Sequence, residues 1–68
     1  MPSSVIRHFR YDADKRELSV TFVTGRRYVY EGVPPDVHEA FRTAFSKGTF
    51  FNREIRDRYT YREIRHSA

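Results

Sequence analysis

Residues 18–30 read Leu-Ser-Val-Thr-Phe-Val, then Thr-Gly-Arg, then Arg-Tyr-Val-Tyr. Two β-forming runs flank a glycine turn, a pattern that predicts a hairpin. Leu18, Val20 and Phe22 alternate with Ser19 and Thr21, so the first strand has one apolar and one polar face. Tyr28 and Tyr30 stand two apart on the returning strand and share a face. The turn decides which face. A two-residue turn at Gly25-Arg26 pairs Phe22 with Val29 and leaves both tyrosines with Ser19, Thr21 and Val23, away from the core. A three-residue loop Val23-Thr24-Gly25, with glycine left-handed in third place, pairs Val20 with Tyr28 and Leu18 with Tyr30. Both rings then line the core. A one-residue slip exchanges the two outcomes. The sequence leaves both registers open, and the need for buried aromatic area weighs toward the second.

That need follows from size. A chain of 68 residues makes one domain, 1–68, and so small a domain buries only about 60% of its unfolded surface. With no cysteine there is no disulfide staple and no cysteine metal site. Aromatic residues at 16% have to supply the core, or self-association has to enlarge it. The opening Met-Pro-Ser-Ser-Val-Ile-Arg-His has no apolar signal core, and no run approaches the ~20 apolar residues that span a membrane. A cytoplasmic protein without membrane contact is the expectation.

In chain order, Val5–Tyr11 reads as a first strand with Phe9 inward and Ile6 on the other side, covered at an end. Asp12–Arg16 is a polar connection that suits a turn. It lacks the glycine and the distal glutamate of a calcium loop, so no metal is expected. Glu31-Gly32-Val33-Pro34-Pro35 breaks the sheet, and Pro35 fits the first turn of a helix. Asp36 and Glu39 favour its N-terminal end. Val37, Ala40, Phe41, Ala44 and Phe45 follow helical spacing, and Gly48 reads as the stop after Lys47. Phe22, Phe41 and Phe45 are thus expected at the centre of packing. Thr49 can cap a second, shorter helix in which Phe51, Ile55 and Tyr59 share a face. Arg53, Arg56 and Asp57 point the other way, and Phe50 packs back on the first helix. Residues 60–68 read as a basic, flexible and partly extended tail, in which Tyr59-Thr60-Tyr61 echoes Tyr28-Val29-Tyr30 without making a repeat. The expected fold is α+β: a three-stranded antiparallel β-meander packed by one amphipathic helix and a shorter C-terminal helix.

With these residues in view, the chain resembles the KTSC domain, a short module found alone in bacterial proteins and at the C-terminus of some lysyl-tRNA synthetases. The matching features are Ser3-Ser4 through Tyr11, Leu18–Phe22, Gly25, the central Tyr28-Val29-Tyr30 and Val33-Pro34. They continue with Ala44, Ser46, Gly48, Phe51-Asn52, Ile55-Arg56 and Tyr59. The spacing of the tyrosine pair from the glycine before it and the Ser-x-Gly after it carries most of the specificity. The resemblance implies a role in nucleic-acid binding and supplies no contact residue.

The residues themselves support that role in their own way. Net charge is +4 with a pI near 9.9, and eleven of the 13 lysines and arginines are arginine. Arginine's planar fork suits phosphate, and single strands are held by cations along the backbone and rings stacked on bases. Arg26 and Arg27 beside Tyr28 and Tyr30, with Arg53 and Arg56 on the second helix, are the candidate contacts. The bland alternatives are a solvated helix face neutralised by Glu54 and Asp57, and tyrosines in the core. Catalysis has little support. His8, His38 and His66 sit in different elements, no metalloprotease spacing occurs, and a chain this short has little room for a pocket. The glycines are not spaced as a phosphate loop, so no cofactor is implied. Single-stranded DNA or RNA is the expected partner. The rival is a protein-interaction module, or a homo-oligomer formed through a sheet edge.

Overall fold

The computed structural model describes residues 6–64. Four strands form one antiparallel sheet in the order β1-β2-β3-β4: β1 Ile6–Asp12, β2 Glu17–Phe22, β3 Arg27–Tyr30 and β4 Tyr61–Ile64. Between β3 and β4 lie α1 (Pro35–Thr43), α2 (Lys47–Phe50) and a π-helical turn (Phe51–Ile55) that continues α2. The class is α+β, as the sequence indicates, but the sheet has four strands rather than three. Part of the expected tail is β4, which runs antiparallel to β3 with Tyr30 opposite Tyr61 and Tyr28 opposite Glu63. Residues 65–68 of that tail, and the N-terminal part of the expected first strand, lie outside the described residues.

The hairpin adopts the register that buries the tyrosines. Leu18 pairs with Tyr30 and Val20 with Tyr28. The Phe22 N–H donates to the Arg26 carbonyl at 2.9 Å, which closes the three-residue loop Val23-Thr24-Gly25. Gly25 has φ +92°, a region where a Cβ is strained. Across β1 and β2, Ile6 pairs with Phe22 and His8 with Thr21, so Arg7 is an extra residue on the β1 side. Such a bulge shifts the alternation by one position. Ile6 therefore joins Phe9 and Tyr11 against the core instead of facing the opposite side.

The core is built on Leu18, Val20, Val33, Phe41 and Ile55, all fully buried, with Tyr30 and Phe51 beside them. Val33 is held at both ends: its N–H donates to the Arg16 carbonyl at 2.9 Å, and its own carbonyl accepts from the Tyr11 hydroxyl at 2.6 Å. These bonds fix the loop that delivers α1 onto the sheet. Pro occupies the first turn of α1 and Asp36 lies there too, where the dipole favours it.

The end of α1 departs from the sequence reading. The helix stops at Thr43 because Ala44 is extended (φ −63°, ψ 141°). Ser46, rather than Thr49, caps α2, its Oγ accepting from the Thr49 N–H at 3.3 Å. Gly48 consequently lies buried inside α2 and does not terminate α1. The break turns Phe45 out into solvent, so it is no part of the core. Phe22 is only partly buried and sits at the edge of the core, and Phe41 alone of the three expected rings is central. Phe50 does pack back on α1, its ring 5.8 Å from that of Phe41. Phe51 and Ile55 share the inward face as expected, and Tyr59 also packs on the core although it lies beyond the helical turns.

Candidate functional site

Tyr28 and Tyr30 point toward the helix side of the sheet, and β4 brings Tyr61 to the same side beside them. Five rings then close a circuit. Phe22 contacts Tyr28 (5.6 Å between centroids), Tyr28 contacts Tyr61 (5.4 Å) and Tyr61 contacts Tyr30 (5.4 Å). Tyr30 contacts Phe51 (5.3 Å), and Phe51 returns to Phe22 (5.5 Å). Most of these contacts are edge to face, the arrangement the ring quadrupole favours. The circuit floors an open groove of about 490 Å³. One wall is the hairpin tip with Thr24 and Arg26, and the other is the helix end with Asn52, Arg56 and Asp57.

The rings differ in availability. Phe51 and Tyr30 are buried, Phe22 and Tyr28 are half-buried, and Tyr61 is 58% exposed. Burial, with the neighbouring Tyr61 and Tyr28 adding to it, pushes the Tyr30 hydroxyl up to about 12. Arg56 works against that shift and Asp57 with it, so both charges act on the end of the Tyr30 side chain. Arg26 stands at the groove mouth, where the Tyr28 hydroxyl first and Glu63 after it hold its guanidinium above the ordinary value.

Of the residues singled out from sequence, the fold brings Arg26, Tyr28, Tyr30 and Arg56 to this groove. It separates the other two. Arg27 pairs with Thr21 and Ile64 and faces the opposite side of the sheet. Arg53 is exposed on the helix outside the groove, where its carbonyl accepts from the Arg58 Nε–H at 3.3 Å. Tyr30 reaches the groove as part of its floor, being only 3% exposed. Tyr61, Asn52 and Asp57 were not singled out. The Tyr-x-Tyr echo at 59–61 was the one signal for the first of these.

The opposite, open sheet face carries charged residues around Thr21 and Val29, which are themselves buried. His8 and Arg27 flank Thr21 toward the hairpin end, and Arg10 lies in the next row, opposite Ser19. Arg62, in that same row opposite Val29, donates to Glu31 at 2.7 Å and to Glu17 at 3.5 Å, tying β4 across β3 to β2. The two carboxylates hold the Arg62 guanidinium above its usual value, Glu31 first. The described histidines stay apart: His8 is on this face, and His38 stacks on Tyr11 at 4.3 Å. Among the described residues no three histidines or carboxylates gather as a metal site would require, and no helix is long and apolar enough to cross a membrane.

The KTSC domain family matches residues 2–59 of this chain. The chain belongs to that family. A crystal structure of a KTSC domain protein from Yersinia pestis superposes with a TM-score of 0.85 at 40% identity, covering 94% of this chain and 90% of that one. A lysine–tRNA ligase of Nostoc punctiforme is 36% identical over 61 residues, which cover 90% of this chain and 11% of the ligase. The KTSC chain thus spans about a tenth of the ligases it matches. An uncharacterized protein of Stutzerimonas stutzeri is 37% identical over 59 residues, 87% of this chain and 83% of its own length.

Proposed function

We propose that this KTSC domain is a non-catalytic, cytoplasmic module that binds single-stranded nucleic acid in the aromatic groove. The observation that carries the reading is the meeting of Arg26 and Arg56, from opposite walls, over a floor that includes Tyr28 and the exposed Tyr61. Cations on the walls suit a phosphate backbone, and an open ring suits a stacked base. Arg26 and Arg56 form no ion pair among the described residues, and even with the Tyr28 hydroxyl beside Arg26 each guanidinium keeps further donors for a ligand. The occurrence of related sequence within lysine–tRNA ligases, whose name gives an RNA as partner, adds support. The test is a nitrogen–proton correlation spectrum during addition of a single-stranded octanucleotide. Resonances of Thr24, Arg26, Asn52, Arg56 and Tyr61 should move together while Arg10 and Ser19 on the open face stay put. Shifts confined to the open face would place the ligand elsewhere.

Two observations suit the rival class. Phe45 is fully exposed in the short connection between α1 and α2, an apolar contact point for a protein partner or a second copy. The outer edges of β1 and β4 are also unpaired among the described residues, which leaves a sheet edge for a homo-oligomer. Sedimentation of the wild type and Phe45→Ser across a concentration series checks this reading.

A further inference from the structure

Asp57 is the one carboxylate lining a groove otherwise furnished with arginines, aromatic rings and small polar groups. It is exposed, and among the described residues it pairs with no cation. Arg42 goes to Glu39, Arg58 to Glu54, and Arg62 to Glu17 and Glu31. A free carboxylate repels the phosphates that Arg26 and Arg56 attract. Toward a ligand it contributes by meeting a hydrogen-bond donor, because an ionised carboxylate is acceptor-only.

The backbone places Asp57 there by a specific device. The Arg56 N–H donates to the Phe51 carbonyl, five residues back, at 2.9 Å. This π-turn stacks residues five apart, so Asn52 and Asp57 come to the same groove wall. In a regular α-helix, at 100° per residue, they would diverge by about 140°. Turns of this kind recur at functional sites.

In a single strand, accessible donors lie on unstacked base edges and, in RNA, on the 2′-hydroxyl. Guanine alone among the standard bases presents two adjacent donors on its Watson–Crick edge, N1–H and the N2 amino group, matching the two oxygens of one carboxylate. Adenine and cytosine set their amino group beside a ring nitrogen that repels a carboxylate, and uracil sets one N–H between two carbonyls. Asn52, with a donor as well as an acceptor, complements guanine O6. We propose that the groove selects a guanine base within an otherwise unspecific single strand, Asp57 accepting from its two-donor edge with Asn52 beside it. The inference rests on the nucleic-acid reading given above.

The experiment uses fluorescein-labelled uridine octamers carrying one central guanosine, inosine or adenosine, with their deoxy counterparts, at low salt. The wild type should hold the guanosine strand about tenfold or more tighter than the adenosine strand. Inosine, which lacks the N2 amino group, should fall between them. Asp57→Asn replaces one of the two acceptors facing guanine's donors with a donor, and removes a repulsive charge. It should erase the preference and tighten binding of the adenosine strand, with an unchanged melting curve showing that the fold is intact. Equal affinity of the wild type for guanosine and adenosine strands overturns the inference, as does a preference that survives in Asp57→Asn. A preference for RNA over DNA without one for guanine also overturns it. Failure to bind any strand overturns the groove reading itself.

Discussion

The rings of Tyr30 and Tyr61 lie 5.4 Å apart across the β3–β4 pair, the first 3% exposed and the second 58%. Core and candidate site are therefore continuous: the buried tyrosine packs beside the exposed one. The Tyr30 hydroxyl, pushed up to about 12 by its burial, gives this contact a pH signature. The folded value lies above the unfolded value of about 10, so the contribution is complete below pH 10. It is lost as pH rises from about 10 through about 12, because the unfolded chain ionises first. The urea midpoint of the wild type should fall across that window, and Tyr30→Phe should flatten the fall. An equal fall in both proteins would mean that Tyr30 is not shielded.

Gly25→Val should destabilise the domain by about 1–3 kcal/mol through backbone strain. Nothing lies within 4 Å of a Cβ built at this position, so crowding plays no part. Gly25→Asn should cost less, since asparagine tolerates positive φ better than a β-branched residue. Urea melts of the two variants check the order, and equal losses would point to a contact in place of conformation.

Phe41 and Phe45 should behave as opposites. Phe41→Ala removes a fully buried ring and should cost about 3–5 kcal/mol, enough to unfold a domain this small. Phe45→Ala removes a fully exposed ring and should stay within about 0.5 kcal/mol of wild type. A cooperative melt of Phe41→Ala near the wild-type midpoint would contradict the packing described.

Arg62→Ala should cut the tie from β4 to Glu17 and Glu31. All three side chains are solvent-accessible, so the loss of stability should be about 1 kcal/mol or less. The effect should be local: amide exchange in β3 and β4 should accelerate while Leu18 and Val20 keep their protection. Uniform acceleration would mean that β4 unfolds only with the whole domain.

The parts legible in the sequence were those with a strong local period. Leu18, Val20 and Phe22 fixed the inward face of β2, and the hairpin loop needed only a choice between two registers. The start of α1 was marked by Pro35 and Asp36. Its end was not, because helical spacing carries Phe45 past the point where Ala44 turns extended and Ser46 starts a new cap. β4 was hidden for a different reason. Its inward residues are Tyr61 and Glu63 and its outward ones Arg62 and Ile64, so apolar and polar positions do not alternate. The family match also ends at residue 59, just before this strand. Asp57 was assigned to the outer helix face by a 100° period that the π-turn breaks.

The salt dependence of single-strand binding tests the groove most directly, comparing the wild type, Arg26→Ala/Arg56→Ala and Arg53→Ala. Each phosphate neutralised on a single strand contributes about −0.7 to the slope of log affinity against log salt. If Arg26 and Arg56 each neutralise one, the double variant should bind more weakly to every sequence and flatten the slope by about 1.4. Arg53→Ala, altered outside the groove, should match the wild type. A folded wild type that binds no strand at low salt, or a double variant with unchanged affinity and slope, would contradict nucleic-acid binding in this groove.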